Sequence, residues 1–198
     1  MKRQEILKGI MKEIMKKSLL TSAWVGLWIF GGAGMTEAAN FTVTSGANEG
    51  AGSLRQAVLN ANANNEADVI DIASSVKEID LSSAIAITGD VRVNGAGATV
   101  KGWTKTRLFD VSGGTVTFDR LTFTDGYTLS ENGGAAYIDS SAAAAHFINC
   151  TFFGNHAGGS GAAVYLYGSS NRPTTFTNCT ITNNDAAENG GGVAVAGG

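Results

Sequence analysis

A repeat of about 29 residues constrains the fold of this chain more than any other feature. Three legible copies begin at evenly spaced phenylalanines, and other residue types recur at the same interval within them. The recurring positions are Phe118, Phe147 and Phe176; Cys150 and Cys179; Asn149 and Asn178; Asn155 and Asn184; and, with almost the same spacing, Gly133, Gly161 and Gly190. Self-similarity at a fixed period of this length indicates a solenoid.

The residues inside each repeat indicate strands. From residue 68 onward apolar residues alternate with polar ones over short stretches separated by Gly, Asn, Asp and Ser. The chain has 27 Gly and one Pro, a composition that disfavours helical repeats, and the leucine framework of leucine-rich repeats is absent. We therefore predict an all-β fold, a right-handed parallel β-helix whose successive rungs lie about 4.8 Å apart.

Stacking of successive rungs predicts ladders of equivalent residues. We expect Leu121 and Phe123, Cys150 and Phe152, and Cys179 and Ile181 to form inward stacks, with Ala136, Val164 and Val193 on another face. Asn149 should stack on Asn178, and Asn155 on Asn184, as amide ladders that stabilise turns. Cys150 and Cys179 would then be near enough for a disulfide, but their side chains would point the same way. We favour an unbridged apolar stack and leave the bridge open.

The segment 40–66 is predicted to cap the first rung. Ser53 is a suitable N-cap, and Leu54, Ala57, Val58 and Ala61 have the spacing of one apolar helical face. A helix at this place would cover strand edges that otherwise invite aggregation. The rungs would occupy 67–198, and because the third repeat's pattern runs to the last residues, we expect the solenoid to be incomplete at its C-terminus.

Residues 1–39 have the pattern of an export signal. A basic segment precedes an apolar run from Leu19 to Phe30, which is followed by small residues before Asn40. The run falls short of the roughly 20 residues of a spanning helix, so we favour cleavage after Ala38 or Ala39 over a membrane anchor. The basic segment is long, and either Met1 or Met15 could be the start. We expect the protein at the cell surface, in the outer membrane, or secreted.

Two motifs resemble those of a known family. The segment Gly52–Asn64 (GSLRQAVLNANAN) looks like the helix that opens many secreted bacterial β-helix proteins. The repeats resemble those of polymorphic outer-membrane proteins, with F-x-x-N at Phe152–Asn155 and G-G-A-hydrophobic at Gly133–Ala136. Ile181–Asn184 and Phe123–Gly126 depart from the first motif. The resemblance implies an autotransporter passenger involved in adhesion, anchored by a C-terminal barrel that this chain lacks. The departures leave a secreted β-helix without a barrel, or a stalk without a ligand, as alternatives.

Charge and site chemistry narrow the function. Six of the 14 basic and three of the 17 acidic residues precede residue 40, which leaves 8 against 14 and argues against nucleic acid as a partner. Glu131 and Glu188 share a repeat position two rungs apart, but no basic residue accompanies them in the repeat, so we expect no enzyme. The alternative is a lyase or glycoside hydrolase on a pectate-lyase-like β-helix, with its active site outside this chain. His146 and His156 lack partners at ligand spacing, and we expect no metal or cofactor.

Tyr137 and Tyr165 are the candidate ligand-binding residues. Both lie four residues after a repeat glycine, and alternation places their neighbours Ile138 and Leu166 inside. We therefore expect two exposed phenol rings on adjacent rungs. Such a pair would offer a platform for host glycans or extracellular matrix, although it also fits simple packing on the sheet.

Overall fold

A computed structural model describes residues 38–142, 144–168 and 173–197 of the chain. The predicted export signal falls almost entirely outside the described residues. The boundaries proposed at residues 39 and 66 stay predictions.

The described chain is a β-solenoid of about 5 turns with parallel strands in three sheets. The first part contains β1 (Asn40–Val43), helix α1 (Leu54–Ala61), β2 (Asp68–Ile72), β3 (Glu78–Asp80), β4 (Ile85–Ile87), β5 (Val91–Lys101) and β6 (Phe109–Val111). The repeats contain β7 (Thr115–Thr124), β8 (Tyr127–Thr128), β9 (Ala136–Ile138), β10 (Ala144–Ile148), β11 (Thr151–Phe153), β12 (His156–Ala157), β13 (Val164–Tyr167), β14 (Thr174–Thr177), β15 (Thr180–Thr182), β16 (Asp185–Ala186) and β17 (Val193–Ala196). The largest sheet has the order β1-β2-β5-β7-β10-β14, the smallest β16-β12-β8, and the third β17-β13-β9-β6-β4.

The predicted register of the three repeats is confirmed. Phe147 pairs with Phe118 on one side and with Phe176 on the other. Phe152 pairs in the same way with Phe123 and Ile181. One turn of the solenoid therefore corresponds to one repeat, as the spacing of the phenylalanines predicts.

Aromatic stacks fill the interior. The rings of Phe118 and Phe147 lie 5.4 Å apart and nearly parallel, and Phe147 continues onto Phe176 at 5.1 Å. A second stack joins Phe123 to Phe152 at 4.6 Å. The two stacks meet edge to face, a favoured arrangement for aromatic rings. In-register parallel pairing makes like side chains superpose, so the repeat period alone generates this core.

The repeat glycines have a backbone conformation that explains their recurrence. Gly133, Gly161 and Gly190 have φ values of 73°, 69° and 62°, in the left-handed region. A Cβ atom at Gly161 would lie 2.6 Å from the carbonyl oxygen of Val164, and the other two glycines have the same close approach. Each turn therefore needs glycine at this corner for both its backbone angle and its space.

Both predicted asparagine ladders are present. The Asn178 side-chain amide donates to Asn149 Oδ1 at 2.7 Å, and Asn149 in turn donates to Asp119 Oδ1 at 3.1 Å. Asn155 donates to Asn184 Oδ1 at 2.9 Å and to the Phe123 carbonyl at 3.0 Å. These amides satisfy polar groups at the corners, which is the turn-stabilising role expected of them.

The ladder that contains Asn149 and Asn178 continues into the rungs that precede the repeats, where the sequence shows no period. Asp119 accepts from Arg92 at 2.9 Å, and Arg92 also donates to Asn94. Asn94 donates to Asp71 at 2.7 Å, and Asp71 accepts from Asn40 at 3.1 Å. A line of charged and amide side chains thus follows the large sheet from β1 to the last repeat.

Helix α1 lies against the first strands. The Ser53 hydroxyl accepts from the backbone N–H of Gln56 at 3.2 Å, as an N-cap residue does. Leu54 and Val58 are buried and belong to the same apolar cluster as the strands. The Arg55 guanidinium donates to the carbonyl oxygens of Ser83 and Ala84 and so ties the helix to the segment before β4.

Candidate ligand-binding surface

Tyr137 and Tyr165 are paired residues on β9 and β13, and they lie outside the apolar core. Their rings are stacked, with centroids 5.5 Å apart and planes 18° from parallel. The two rings lie on adjacent rungs and outside the core, as the sequence predicts. The prediction that both rings are exposed is wrong for Tyr165, which is 7% exposed. The ring is covered because it lies on a middle rung, between Tyr137 and the β17 residue Ala194.

Tyr137 is half-buried, and its ring lies against the guanidinium of Arg107. Burial raises the pKa of the Tyr137 phenol, and the nearby Asp139 carboxylate adds to the rise. The Arg107 guanidinium lies over its ring, 5.1 Å from the centroid. The stacked tyrosines are therefore bounded at one end by Arg107, which leaves little ring surface for a ligand.

Arg107 is the centre of a polar cluster that the sequence did not reveal. Its Nε donates to the Gly133 carbonyl at 2.8 Å, and its terminal nitrogens reach the Asn132 carbonyl at 2.6 Å and Glu131 Oε2 at 3.0 Å. It also forms an ion pair with Asp110. No basic residue accompanies Glu131 within the repeat, but Arg107, which precedes the legible repeats, reaches the carboxylate from the preceding rung.

An open groove of 360 Å³ lies beside Arg107. It crosses the corners of three successive rungs and is bordered by both charged and apolar side chains. The lining residues are Ala84, Lys105, Thr106, Arg107, Asp110, Tyr127, Thr128, Leu129, Ser130 and Glu131. Leu129 is 79% exposed, the most exposed of the large apolar side chains in the described part of the chain.

The wall of the groove departs from the repeat at two neighbouring positions. Hydrogen bonds from Gly158 to Thr128 and from Gly159 to Glu131 fix the alignment, in which Leu129 corresponds to Gly158 and Ser130 is an extra residue. The hydroxyl of Thr128 donates to the Glu131 carbonyl at 2.6 Å. This bond closes a small loop that contains Leu129 and Ser130 and directs them away from the core.

The connection between β5 and β6 also borders the groove. Trp103 and Thr104 have φ values of 53° and 55°, and the Lys105 N–H returns to the Gly102 carbonyl at 3.0 Å. This tight turn brings Lys105 to the rim as an exposed cation.

The sequence carries a single signal of this site, the unequal spacing of the repeat glycines. Gly133 lies one position closer to Gly161 than Gly161 lies to Gly190, although the phenylalanines that open the repeats are evenly spaced. The first repeat therefore has an extra residue before Gly133. The structure identifies that residue as Ser130, at the edge of the groove.

The two glutamates have different surroundings. Backbone bonds through Gly159 place Glu131 and Glu188 on alternate rungs of one column, as the repeat predicts. Glu131 faces Arg107 and the groove, whereas Glu188 accepts from the Ser160 hydroxyl at 3.3 Å. Of the two, Glu131 alone lines the groove described above.

The histidines and cysteines take part in the ladders. His156 Nδ1 lies 3.1 Å from the Asp185 carboxylate, and its ring stacks on Tyr127. Within the described residues, no group of three or more His, Cys, Asp and Glu is arranged to hold a metal ion. Cys150 and Cys179 are free thiols, and burial raises the pKa of the Cys150 thiol to about 11.

Comparisons with protein-family models, with curated proteins and with solved structures found no match. Among the described residues, the structure contains no helix of the length and apolar character needed to cross a bilayer.

Proposed function

We propose that this chain belongs to an exported bacterial surface or secreted protein and is a β-helix passenger that binds host glycans or extracellular matrix. In this proposal the β-helix is right-handed and α1 caps its first rung. An outer-membrane barrel outside this chain anchors the passenger. The lateral groove beside Arg107 is the observation that carries the binding role. It is a concave surface with apolar and polar side chains together, which is the general character of ligand sites.

The cap is supported by the burial of one helical face. Leu54, Ala57, Val58 and Ala61 are buried, while Leu59 on the other side is exposed. The contacts of the helix with β1, β2 and β4 support its proposed role as the cover of the first rung. Covering an end in this way protects strand edges from pairing with other chains.

A second candidate, polysaccharide cleavage, is favoured by one observation. Asp110 and Glu131 both border the groove and share Arg107, so two carboxylates and a cation lie where a sugar chain could bind. Release of new reducing ends from a polysaccharide would distinguish this activity from binding alone.

Export and adhesion can be tested together. The full chain, started at Met1 or at Met15, would be expressed in a Gram-negative host, and the fractions would be analysed by intact mass and N-terminal sequencing. We expect a periplasmic or secreted product that begins at Ala39 or Asn40. The purified product should retain matrix proteins or glycans on a surface. A product that stays in the cytoplasm with its N-terminal segment uncleaved would contradict the proposal.

A further inference from the structure

We propose that the groove beside Arg107 is a subsite for a neutral oligosaccharide. The proposal rests on the adhesive function above and gives it a location and a ligand class. It depends on three features of the groove: an apolar platform, a charge-balanced polar wall, and a length that matches more than one sugar ring.

The platform consists of Leu129 and Tyr127. Packing does not require Leu129, because the equivalent positions in the next two rungs are Gly158 and Ala187 and the leucine side chain is almost fully exposed. The Tyr127 ring stacks on His156 at 5.0 Å on the side of the next repeat, and it also borders the groove. An aromatic ring and a leucine side by side provide apolar area for the C–H face of a pyranose.

The polar wall has hydrogen-bonding capacity without net charge. Arg107 is 12% exposed and forms ion pairs with Asp110 and Glu131, whose side chains are 38% and 70% exposed. The accessible atoms are therefore mainly carboxylate oxygens, which accept hydrogen bonds from sugar hydroxyls. Lys105 on the rim adds a donor, so two cations balance two anions along the groove. The exposed carboxylates would repel a polyanionic ligand and reduce its affinity, which favours a neutral ligand.

The dimensions suit a short stretch of a sugar chain. The lining residues come from three successive rungs, represented by Ala84, by Lys105 to Asp110, and by Tyr127 to Glu131. Two rung spacings amount to about 10 Å. A volume of 360 Å³ is at the lower end of the range of ligand pockets, which is roughly 300 to 1,000 Å³.

A purely structural role explains only part of the cluster. Arg107 joins three backbone or side-chain acceptors of the next rung and so stabilises the stacking of the two corners. This stabilising role does not account for the solvent-exposed Leu129 or for the inserted Ser130 at the same corner. Both departures from the repeat are explained if this corner contacts a ligand.

The test uses the full chain and defined sugars. Cellotetraose, maltotetraose and tetra-N-acetylchitotetraose are the neutral probes, and tetragalacturonate is the acidic comparison, all measured by calorimetry and saturation-transfer NMR. We expect at least one neutral probe to bind with a Kd of about 1 mM or tighter. Leu129→Ala should weaken it about fivefold to tenfold, because half of a leucine side chain loses its contact. Glu131→Gln should also weaken it.

Glu188→Gln is the matched control, since Glu188 occupies the same repeat position two rungs from the groove. It should leave the affinity unchanged, and all variants should keep the parent's melting temperature within a few degrees. No binding of any neutral probe, binding of tetragalacturonate alone, or an affinity indifferent to both Leu129→Ala and Glu131→Gln would overturn the proposal. The last result in a protein that is exported and adheres would refute the groove but not the proposed function. Retention in the cytoplasm would refute the function and leave the groove measurable in purified protein.

Discussion

Asn155→Ala should be among the most destabilising polar substitutions in this chain. Asn155 is 1% exposed, and its side chain makes three hydrogen bonds. Its Oδ1 accepts from the Gly126 N–H at 3.0 Å, and its Nδ2 donates to the Phe123 carbonyl at 3.0 Å and to Asn184 Oδ1 at 2.9 Å. Alanine removes all three bonds and leaves the N–H of Gly126 in the preceding rung without its acceptor.

The expected magnitude follows from the unpaired Gly126 N–H and from the other two lost hydrogen bonds. A buried donor left unpaired costs about 1 to 3 kcal/mol and each lost hydrogen bond about 0.5 to 1.5 kcal/mol, so Asn155→Ala should lower the free energy of unfolding by about 2 to 6 kcal/mol. A domain of this size loses roughly 2 to 4 °C of melting temperature per kcal/mol, which gives a drop of about 4 to 24 °C. Asn155→Asp should be at least as damaging, because a carboxylate cannot donate to the Phe123 carbonyl and would bury a charge.

The matched control is Asn184→Ala, one rung later. Asn184 makes equivalent bonds, because its Nδ2 donates to the Phe152 carbonyl at 3.0 Å and its Oδ1 accepts from the Asn155 N–H at 3.1 Å. Asn184 is half-buried, however, so water can replace its amide. We expect a loss of about 0.5 to 1.5 kcal/mol. Urea unfolding followed by far-ultraviolet circular dichroism would measure both variants. Equal losses for Asn155→Ala and Asn184→Ala, or a loss below about 1 kcal/mol for Asn155→Ala, would refute the burial argument.

Three further results are expected. Gly161→Ala should destabilise the fold by more than about 1 to 2 kcal/mol, because alanine disfavours the left-handed φ and its Cβ would lie 2.6 Å from a carbonyl oxygen. An unchanged melting temperature would contradict this corner geometry. Replacing Leu54 and Val58 together by Asp should cause aggregation, detected by light scattering, because charges cannot occupy the buried helical face; a monomeric, equally stable double variant would disprove the cap. Cys150 should alkylate far more slowly than Cys179 at pH 8, because only about one Cys150 thiol in a thousand is ionised at that pH when its pKa is near 11. An intact mass 2 Da lower before reduction than after it would show instead that the two cysteines are bridged.

The repeats show how much of this fold the sequence determined. The repeat period predicted the pairing of Phe118, Phe147 and Phe176, because in-register parallel strands place equivalent residues on top of one another. Alternation along each strand then separated inward from outward side chains. The same register brought Asn155 over Asn184 without further information.

Only the tertiary structure decided what covers an outward side chain and where a cavity opens. Tyr165 points away from the core as alternation predicts, yet it is buried, since coverage depends on the rungs before and after it rather than on its own strand. Arg107 reaches Glu131 across 24 positions in a region without a legible period. The groove lies beside the inserted Ser130 and beside Lys105, which follows the tight turn at Trp103. The repeat period determines which residues stack on one another. The effect of a departure from the period depends on which side chains the assembled rungs bring together.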